Sequence, residues 1–409
     1  MGQDYYLQPP RTQLFYTILG HISTIFGTCQ MEWWGPQYKI SKWLAWLYFL
    51  QRHSVRTFGK VVCLSQSVFM VLNFNTLSSS VLIVILTITP VGYLVAVKAE
   101  TAKLKSYEKV MKAFMDKIHI YNCYVRNKDS EYVKTKVKQV EFLSRFTTWF
   151  LTFFLYICWS AWMLQPTLYN IRNIDAILNK TQDFQYYIYL WTPLEYHHNL
   201  RNYLIIHTVC VYLGVTAITV IITFDCLNMI IVYHIVGHIY ILKHNFRTKL
   251  ADDFTDEKAK EFLVDTIKYH SFIITTFKNV QNAFGINVAA NYLQNLFEDG
   301  LCLYQMMKGD MENFVKYGLM LVIYLGSLIM LSVVLEEIKR QNSDLSEVVY
   351  SIPWQRMSVS NQKTVMLLLF RTQPDLEFRA ACGMKAGVQP ALSIIKSMFS
   401  YYVMIKSRM

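Results

Sequence analysis

Charged residues are scarce in this sequence. Asp, Glu, Lys and Arg make up 17% of its 409 residues, whereas 53% are hydrophobic. Several stretches without any charge approach or exceed the roughly 20 residues that an α-helix needs to cross a bilayer. The composition therefore excludes a soluble globular protein and predicts an all-α, polytopic membrane protein.

Signatures of catalysis and of metal binding are also missing. The sequence has no HExxH, GxSxG or P-loop pattern, and its eight cysteines are dispersed without a CxxC pair. We therefore expect no enzyme activity, no cofactor and no disulfide framework. His234 and His238 lie one helical turn apart, which could suit a metal. We favour a solvated helix end with amphipathic histidines and predict no metal site.

Positive charge is the exception to this shortage. The net charge is +12, and most of it lies in loops between the apolar runs. A nucleic-acid partner would need a basic patch on a soluble domain, so we expect none. Loops that lie close to an anionic membrane leaflet explain the charge, with lipid as the partner.

The apolar runs predict seven spans. The stretch 61–97 carries no charge and is too long for one helix, so it predicts spans one and two with a polar turn around Asn73 and Ser78. Span five is weaker, because it is rich in Asn and Gln and contains Glu298 and Asp299, which we expect to be exposed at the outer rim. Spans three to seven are placed at 146–171, 202–224, 279–307, 317–335 and 386–405.

The loops predict the orientation of these spans. The segment 98–145 carries twelve Lys and Arg residues and 243–278 carries seven, but 170–201 carries only three. Since Lys and Arg concentrate in cytoplasmic loops, we expect the N-terminus inside and the C-terminus outside, with no cytoplasmic tail after Ile405. The sequon at Asn179 falls in the loop predicted to be external and is the candidate glycosylation site.

The last span contains a single cation, Lys396. A charge at mid-span faces protein or water rather than lipid. Helical periodicity places two sets of neighbours on shared sides, Ser397 with Tyr401, and Ser400 with Met404 and Arg408. Such a helix, contributed by several subunits, could line a pore with an apolar constriction, or it could form a packing seam within one subunit. The residues alone leave both readings open.

The stretch from Leu335 onward resembles the C-terminal signature of insect odorant receptors. The likeness is carried by Tyr350, Trp354, Arg371-Thr372-Gln373-Pro374, Lys396 and Ser400-Tyr401-Tyr402. The segment from Phe224 to His244 is similar to moth branches of the family near the pheromone receptors. Gustatory receptors usually end in a Thr-Tyr motif and a closing Gln-Phe, which are absent here. The odorant coreceptor is similar but has a longer second cytoplasmic loop, so a tuning subunit is the better match.

The resemblance implies a ligand-gated, non-selective cation channel in the plasma membrane of the olfactory sensory neuron dendrite. Tuning subunits of this family assemble with the odorant coreceptor into a tetramer around a central pore. By position, four regions follow: a cytoplasmic N-terminal segment at 1–60 with an interfacial or re-entrant helix at 14–29, six spans at 61–335, a cytoplasmic anchor at 336–380 and a pore-lining seventh helix at 381–409.

The resemblance also implies roles within the last two regions. In the anchor, we expect Val348, Val349, Trp354 and 367–370 to be exposed apolar residues that need a partner. Alignment on Ser400-Tyr401-Tyr402 places the gate at Met404. Arg408 departs from the apolar character of the family and would repel cations at the mouth. The expected pore and gate residues are Lys396, Ser400, Tyr401, Met404 and Arg408.

The odorant pocket of the family lies among spans two, three, four and six, in the outer half of the membrane. The candidates at that depth are Leu77, Val81, Val84, Tyr156, Trp159, Met163, Ile206, His207, Cys210, Val211, Tyr317, Met320 and Tyr324. Such an apolar, aromatic pocket would bind a small, volatile, hydrophobic molecule, with a tyrosine or His207 orienting its polar head. Lipid-facing or interhelical packing is the alternative for each residue.

Other receptor classes share part of this pattern. A gustatory-receptor-like channel has a similar layout, and a G-protein-coupled receptor also has seven spans but needs its N-terminus outside. A transporter would show an internal repeat with broken helices, and no such repeat is visible around Pro90 and Pro166.

Overall fold

The computed structural model describes residues 6–29, 33, 41–250, 254–308 and 311–408. Within these ranges the chain is helical apart from connecting segments and one antiparallel bridge between Arg379 and Lys385. The all-α prediction is therefore confirmed. The seven long helices are α2 (Lys42–Asn73), α3 (Ser79–Thr101), α6 (Glu131–Arg172), α8 (Leu200–Thr248), α9 (Asp256–Lys308), α10 (Met311–Ser343) and α13 (Val388–Arg408). Six shorter helices are α1 (Leu14–Ile25), α4 (Lys105–Ala113), α5 (Tyr121–Arg126), α7 (Ile174–Leu178), α11 (Leu345–Tyr350) and α12 (Val359–Thr372).

Five of the long helices, α2, α3, α6, α8 and α10, are long and apolar enough to cross a membrane. Polar side chains interrupt α9 and α13 more often, which lowers their hydropathy. The first span starts earlier than predicted, because α2 begins at Lys42 inside the segment assigned to the N-terminal region.

Short polar residues define where the helices begin. Ser78 accepts a hydrogen bond from the backbone N–H of Val81 (3.4 Å) and starts α3 after the turn that follows Asn73. Ser130 does the same for α6, and Asn199 for α8. Each side chain satisfies a backbone donor that a helix leaves unpaired at its first turn. The predicted turn between spans one and two is confirmed.

Helices occupy much of the two basic segments that the sequence predicted to be loops. The helix α8 extends to Thr248 and α9 begins at Asp256, so little of 243–278 is irregular. The segment 98–145 contains α4, a short π-helical turn at Phe114–Ile118, α5 and the first turns of α6. In α4 the buried residues Tyr107, Val110 and Met111 follow a helical spacing, which stabilises it against the bundle.

The polar helix α9 lies inside the bundle. It packs against α3, α8, α10 and α13, and it also contacts α4 and α12. Its neighbours enclose Glu298 and Asp299, whose side chains have no exposed surface. The prediction that this pair is exposed at the rim is therefore wrong, since the surrounding helices shield it from solvent.

The N-terminal helix α1 packs against α6 and α8. Its buried side chains include Phe15 and Leu19, and the side chain of Gln13, just before it, meets Nε2 of His119 at 2.9 Å. This segment is therefore helical and packs against protein, whereas its interfacial or re-entrant position in the membrane stays a prediction.

The histidines of α8 are buried rather than solvated, so that prediction is wrong. The backbone N–H of Ile120 donates to Nδ1 of His234 (3.1 Å), and Nε2 of His238 lies 2.8 Å from the carbonyl oxygen of Ile118. The segment before α5 covers this face of α8. Both imidazoles therefore bind backbone, and these contacts explain their spacing without a metal.

The anchor prediction is only partly correct. Val348 and Val349 of α11 are buried, because α11 packs against α8 and α12. Trp354 is half-buried. On α12, Leu368 faces the protein, whereas Leu367 and Phe370 are 63% and 67% exposed as predicted. Only one side of α12 is therefore free to meet a partner.

Candidate functional site

A second hydrophobic cluster, separate from the main core, is rich in aromatic rings. Side chains from α6, α7, α8, α9, α10, α13 and the loop 179–199 meet there. We call it the aromatic cluster. Its buried members are Trp162, Ile177, Phe184, Tyr186, Tyr187, Leu190, Tyr196, Tyr203, Ile206, Cys210, Cys302, Leu303, Tyr317, Met320, Leu321 and Met398.

The loop between α7 and α8 closes one end of this cluster. Phe184 stacks on Tyr203 with 4.1 Å between ring centroids, and Tyr186 packs edge-on against Tyr196. The hydroxyl of Tyr196 donates to the carbonyl of Leu190 (3.0 Å). Because stacked rings and satisfied hydroxyls favour one arrangement, this loop forms a folded lid over the cluster.

Asn170 joins this lid to α6. Its side-chain amide donates to the carbonyl of Gln185 (2.8 Å), and the backbone N–H of Gln185 donates back to the Asn170 oxygen (2.8 Å). The same amide also donates to the hydroxyl of Tyr203 (3.0 Å). One buried side chain thus joins α6, the loop and the start of α8.

The structure places seven of the thirteen candidate ligand residues in or against the cluster. Ile206, Cys210, Tyr317 and Met320 are buried members, while Val84, Met163 and Tyr324 pack against them. They derive from α3, α6, α8 and α10, the four helices that the resemblance implied.

The remaining candidates lie elsewhere. Tyr156 packs against the main core, and its hydroxyl lies 2.9 Å from that of Thr219. Trp159 packs against Gly214, where an added Cβ would lie 2.4 Å from the indole nitrogen. His207 stacks on Tyr203 beside the cluster. Leu77, Val81 and Val211 are partly exposed and are not members.

The sequence reasoning missed the lid and one cation. Seven of the twenty residues from Phe184 to Tyr203 are aromatic, a density that could have indicated a folded loop. Lys316 is buried with its ammonium 4.4 Å from the ring centroid of Trp162 and 4.8 Å from that of Tyr317. Its ammonium also contacts the side-chain oxygen of Gln165. A cation held over two rings gives the apolar cluster a polar edge.

The carboxyls of α9 lie one turn from the cluster. The Gln294 amide donates to Glu298 (2.9 Å), whereas neither carboxyl oxygen of Asp299 has a hydrogen-bond partner within the part of the chain that the structure describes. Cys302, one turn further along α9, is already a cluster member.

The helix α13 presents two different sides. Met398 is buried in the aromatic cluster, and Ile395 and Tyr402 pack against it. On the other sides Lys396, Ser400, Tyr401 and Met404 are exposed. The side chain of Arg408 lies outside the described residues.

A glycine brings α13 close to α9. A Cβ built on Gly300 would lie 2.9 Å from Cβ of Tyr401 and 3.4 Å from the carbonyl oxygen of Met398. Only a residue without a side chain allows this approach. The candidate pore helix is therefore in direct contact with the aromatic cluster and with the polar helix α9.

The candidate glycosylation site is sterically open. Asn179 is exposed at the end of α7, and the next residue, Lys180, has a positive φ of 60°. The Thr181 hydroxyl donates to the carbonyl of Ala176 (2.8 Å).

Comparisons with known proteins agree on one family. A family model described as 7tm Odorant receptor matches residues 101–399. Odorant receptor 67c of Drosophila melanogaster is 16% identical over 281 residues, which cover 67% of this chain and 70% of that protein. Odorant receptor 85b of the same species is 21% identical over 63% of each chain. The alignment with odorant receptor 85d, at 19% identity, spans less than half of that relative, 45% of its length.

Solved structures show the same fold over nearly the whole chain. The insect olfactory receptor OR5 from Machilis hrabei is 16% identical and matches with a TM-score of 0.76, covering 95% of this chain and 96% of that one. The same receptor in complex with eugenol matches with a TM-score of 0.77, covering 97% and 98%. The family model spans well over half of the residues of this chain. The chain therefore belongs to the 7tm odorant receptor family and is an insect odorant receptor with a multi-pass, seven-helix membrane fold.

Proposed function

We propose that this chain is the odorant-binding subunit of a ligand-gated, non-selective cation channel that it forms together with the odorant coreceptor. One observation carries the proposal: Met398 of α13 is buried in the aromatic cluster together with residues of α6, α8 and α10, and Val84 of α3 packs against the same cluster. A ligand that changes the packing of the cluster therefore acts on α13 directly. The proposed mechanism is a population shift, in which the odorant binds more tightly to the open arrangement of α13.

The chemistry of the cluster limits the class of ligand. Its buried aromatic and aliphatic side chains favour a small, volatile, hydrophobic molecule through dispersion and desolvation. Lys316 and the hydroxyl of Tyr187, which has no hydrogen-bond partner among the described residues, supply hydrogen-bond donors to the cluster, so the preferred odorant carries one acceptor oxygen. The related receptor OR5 from Machilis hrabei has been solved with eugenol, which supports a small ligand of this kind.

The exposed sides of α13 are the proposed pore lining. Lys396 and Ser400 supply polar surface, and Met404 near the end of the helix is the proposed gate, which closes by excluding water from an apolar constriction. Exposed apolar residues on α12, including Leu367 and Phe370, support the proposal that the anchor joins subunits. We place the pore complex in the plasma membrane of the sensory dendrite.

The test compares two residues of α10 in cells that also express the coreceptor. Met320 is 2% exposed in the cluster, and Val322, two residues later, is 62% exposed. Met320→Ala should change the odorant concentration for half-maximal current by about tenfold, which corresponds to about 1.4 kcal/mol of binding free energy. Val322→Ala should leave it unchanged, and the reversal potential should stay the same in both. Equal effects of the two variants, at equal surface expression, would contradict the assignment of the pocket.

A further inference from the structure

A wide groove lies between α5, α8 and α9. Its volume is about 930 Å³, within the range of small-molecule sites. None of the residues that line it belongs to the aromatic cluster. Cys123 of α5, His238 of α8 and Tyr269 of α9 meet in its wall.

These three side chains form a connected triad. The sulfur of Cys123 lies 3.6 Å from Nδ1 of His238 and 3.5 Å from the hydroxyl of Tyr269. That hydroxyl lies 2.8 Å from the same Nδ1. A nucleophile beside an imidazole is the arrangement that activates cysteines in proteins.

The other nitrogen of His238 fixes which tautomer faces the thiol. Nε2 lies 2.8 Å from the carbonyl oxygen of Ile118, which can only accept a hydrogen bond. Nε2 must therefore carry a hydrogen, and in the neutral ring Nδ1 is left with a lone pair. That lone pair points toward Cys123 and Tyr269, where it can take the thiol proton.

The surroundings favour the thiolate of Cys123. Burial alone would raise the pKa of this thiol, but the charge of His238 and hydrogen bonds from His238 and Tyr269 lower it, and Arg126 adds to that effect. The net direction is a lowered pKa. Because Cys123 is only partly buried, small molecules in the groove can reach its sulfur.

Cations outnumber anions around the groove. The lining residues include five cationic side chains, Lys117, Arg126, Lys249, Lys258 and Lys268. Among the described lining residues, only Glu261 and Asp265 oppose them. A groove with this excess raises the local concentration of anions that diffuse into it.

We propose that Cys123 is a thiol-modification site that reacts with an anionic, low-molecular-weight disulfide of the glutathione type. The thiol proton passes to Nδ1 of His238, and the thiolate attacks one sulfur of the disulfide. The sulfur–sulfur bond of the reagent breaks as a new one forms to Cys123. One half of the reagent stays attached, and the other leaves as a thiolate that takes the proton back from His238. Cys123 is oxidised, and the departing half is reduced.

The experiment uses the purified full-length chain in lipid nanodiscs and glutathione disulfide as the probe. Peptide mapping by mass spectrometry over time gives a rate for each cysteine. Cys382, which is exposed on the turn Ala381–Gly383, is the internal control. Cys123 should react about tenfold faster than Cys382, and a dithiol reductant should reverse the adduct. A rate at Cys123 no higher than at Cys382 would overturn the proposal.

Two variants test whether His238 and Tyr269 activate Cys123, with the rate at Cys382 as the reference for a folded chain. His238→Gln and Tyr269→Phe should each slow modification of Cys123 by about threefold or more while leaving the rate at Cys382 unchanged. Tyr269→Phe keeps the ring and its packing, so it remains informative if His238→Gln does not fold. An unchanged Cys123 rate in folded His238→Gln would contradict the role of His238 as the base, and an unchanged rate in Tyr269→Phe would contradict the role of the Tyr269 hydroxyl.

The role of charge needs a second reagent. Lys258→Ala with Lys268→Ala should slow the reaction with glutathione disulfide by about threefold but not the reaction with a neutral disulfide of hydroxyethyl groups. Equal slowing with both reagents would show that the lysines act on the structure of the groove rather than on the charge of the reagent.

Discussion

At the scale of single residues, a buried ion pair links two spans. Lys98 of α3 contacts Asp225 of α8, and neither side chain is more than 7% exposed. Asn291 of α9 donates a further hydrogen bond to the same Asp225 oxygen (3.0 Å). The pair therefore joins three helices at one point in the main core.

Removing one partner of this pair should be costly. Lys98→Met leaves an unpaired buried carboxylate and should lower the free energy of unfolding by about 3–5 kcal/mol. The double variant Lys98→Met with Asp225→Leu should recover most of the loss, because both charges are then absent. Thermal unfolding of the purified chain measures both effects. A single variant as stable as the unmodified chain would show that the ion pair contributes little.

The residue scale also shows where sequence reasoning succeeds. Ile206, Cys210, Tyr317 and Met320 could be placed in one cluster, because the resemblance implied which spans form the pocket and the direction of each span gave the depth of its residues. The burial of Asp299 and His238 could not be predicted, because it depends on which helices pack over them. A polar residue in an apolar helix gives no local signal of its partner.

At the scale of elements, the contact of α9 with α13 joins the aromatic cluster to the helix that we propose as the pore lining. Gly300→Ala adds a methyl group 2.9 Å from Cβ of Tyr401 and pushes α13 away from α9. Overpacking of this kind costs about 1–3 kcal/mol. Under the proposed mechanism it displaces α13 toward the pore axis, so odorant-evoked current should fall about fivefold or more at a fixed odorant concentration.

A matched glycine supplies the control for this prediction. Gly59 lies in α2, and apart from adjacent residues and the backbone of α2 itself, no atom of the described residues lies within 4 Å of a Cβ added there. Gly59→Ala should therefore leave the current unchanged in the same cells. Equal odorant-evoked currents from Gly300→Ala and the unmodified chain would contradict the proposal that α13 takes part in gating.

A second contact between elements depends on pH. Asp256 at the start of α9 accepts hydrogen bonds from the backbone N–H of Ser358 (2.9 Å) and from the Asn361 amide (2.7 Å) at the start of α12. Bonds from Ser358 are the main reason that the pKa of Asp256 is held below its ordinary 3.8. The contact thus stabilises the fold above that value and is lost as pH falls through the lower, folded pKa.

Hydrogen exchange at the start of α12 measures this effect. Protection of the Ser358 amide should fall as the solution is acidified below about pH 3.8, the ordinary pKa of an Asp side chain. In Asp256→Ala the same amide should be unprotected at every pH. Protection that persists in that variant would contradict the role of Asp256.

The elements differ in how well the sequence predicts them. The absence of charge over 61–97 is enough to predict the C-terminal part of α2, most of α3 and the turn between them, but not the first turns of α2 from Lys42. The helix α9 gives a weak signal because neighbouring protein, rather than lipid, surrounds its polar side chains. Its full length, from Asp256 to Lys308, follows from packing that no local pattern contains.

At the scale of the whole molecule, orientation in the membrane remains a prediction from the distribution of Lys and Arg. Asn179 is exposed in the loop that should face outside. Asn179→Gln should abolish a glycosidase-sensitive shift in apparent mass, and an N-terminal epitope tag should be detected only in permeabilised cells. A tag detected on intact cells would instead support the orientation of a G-protein-coupled receptor.

The seven-helix fold joins an aromatic cluster under a folded lid to a helix whose exposed surface includes Lys396 and Ser400. The central claim is that this arrangement turns odorant binding into a cation current with the coreceptor. The most direct measurement is the whole-cell current of cells that express this chain with and without the coreceptor, challenged with fatty alcohols, aldehydes and acetates. We predict an odorant-evoked cation current only in the co-expressing cells. A current of equal size from this chain alone would contradict the need for the coreceptor, and silence in co-expressing cells with both chains at the surface would contradict the claim itself.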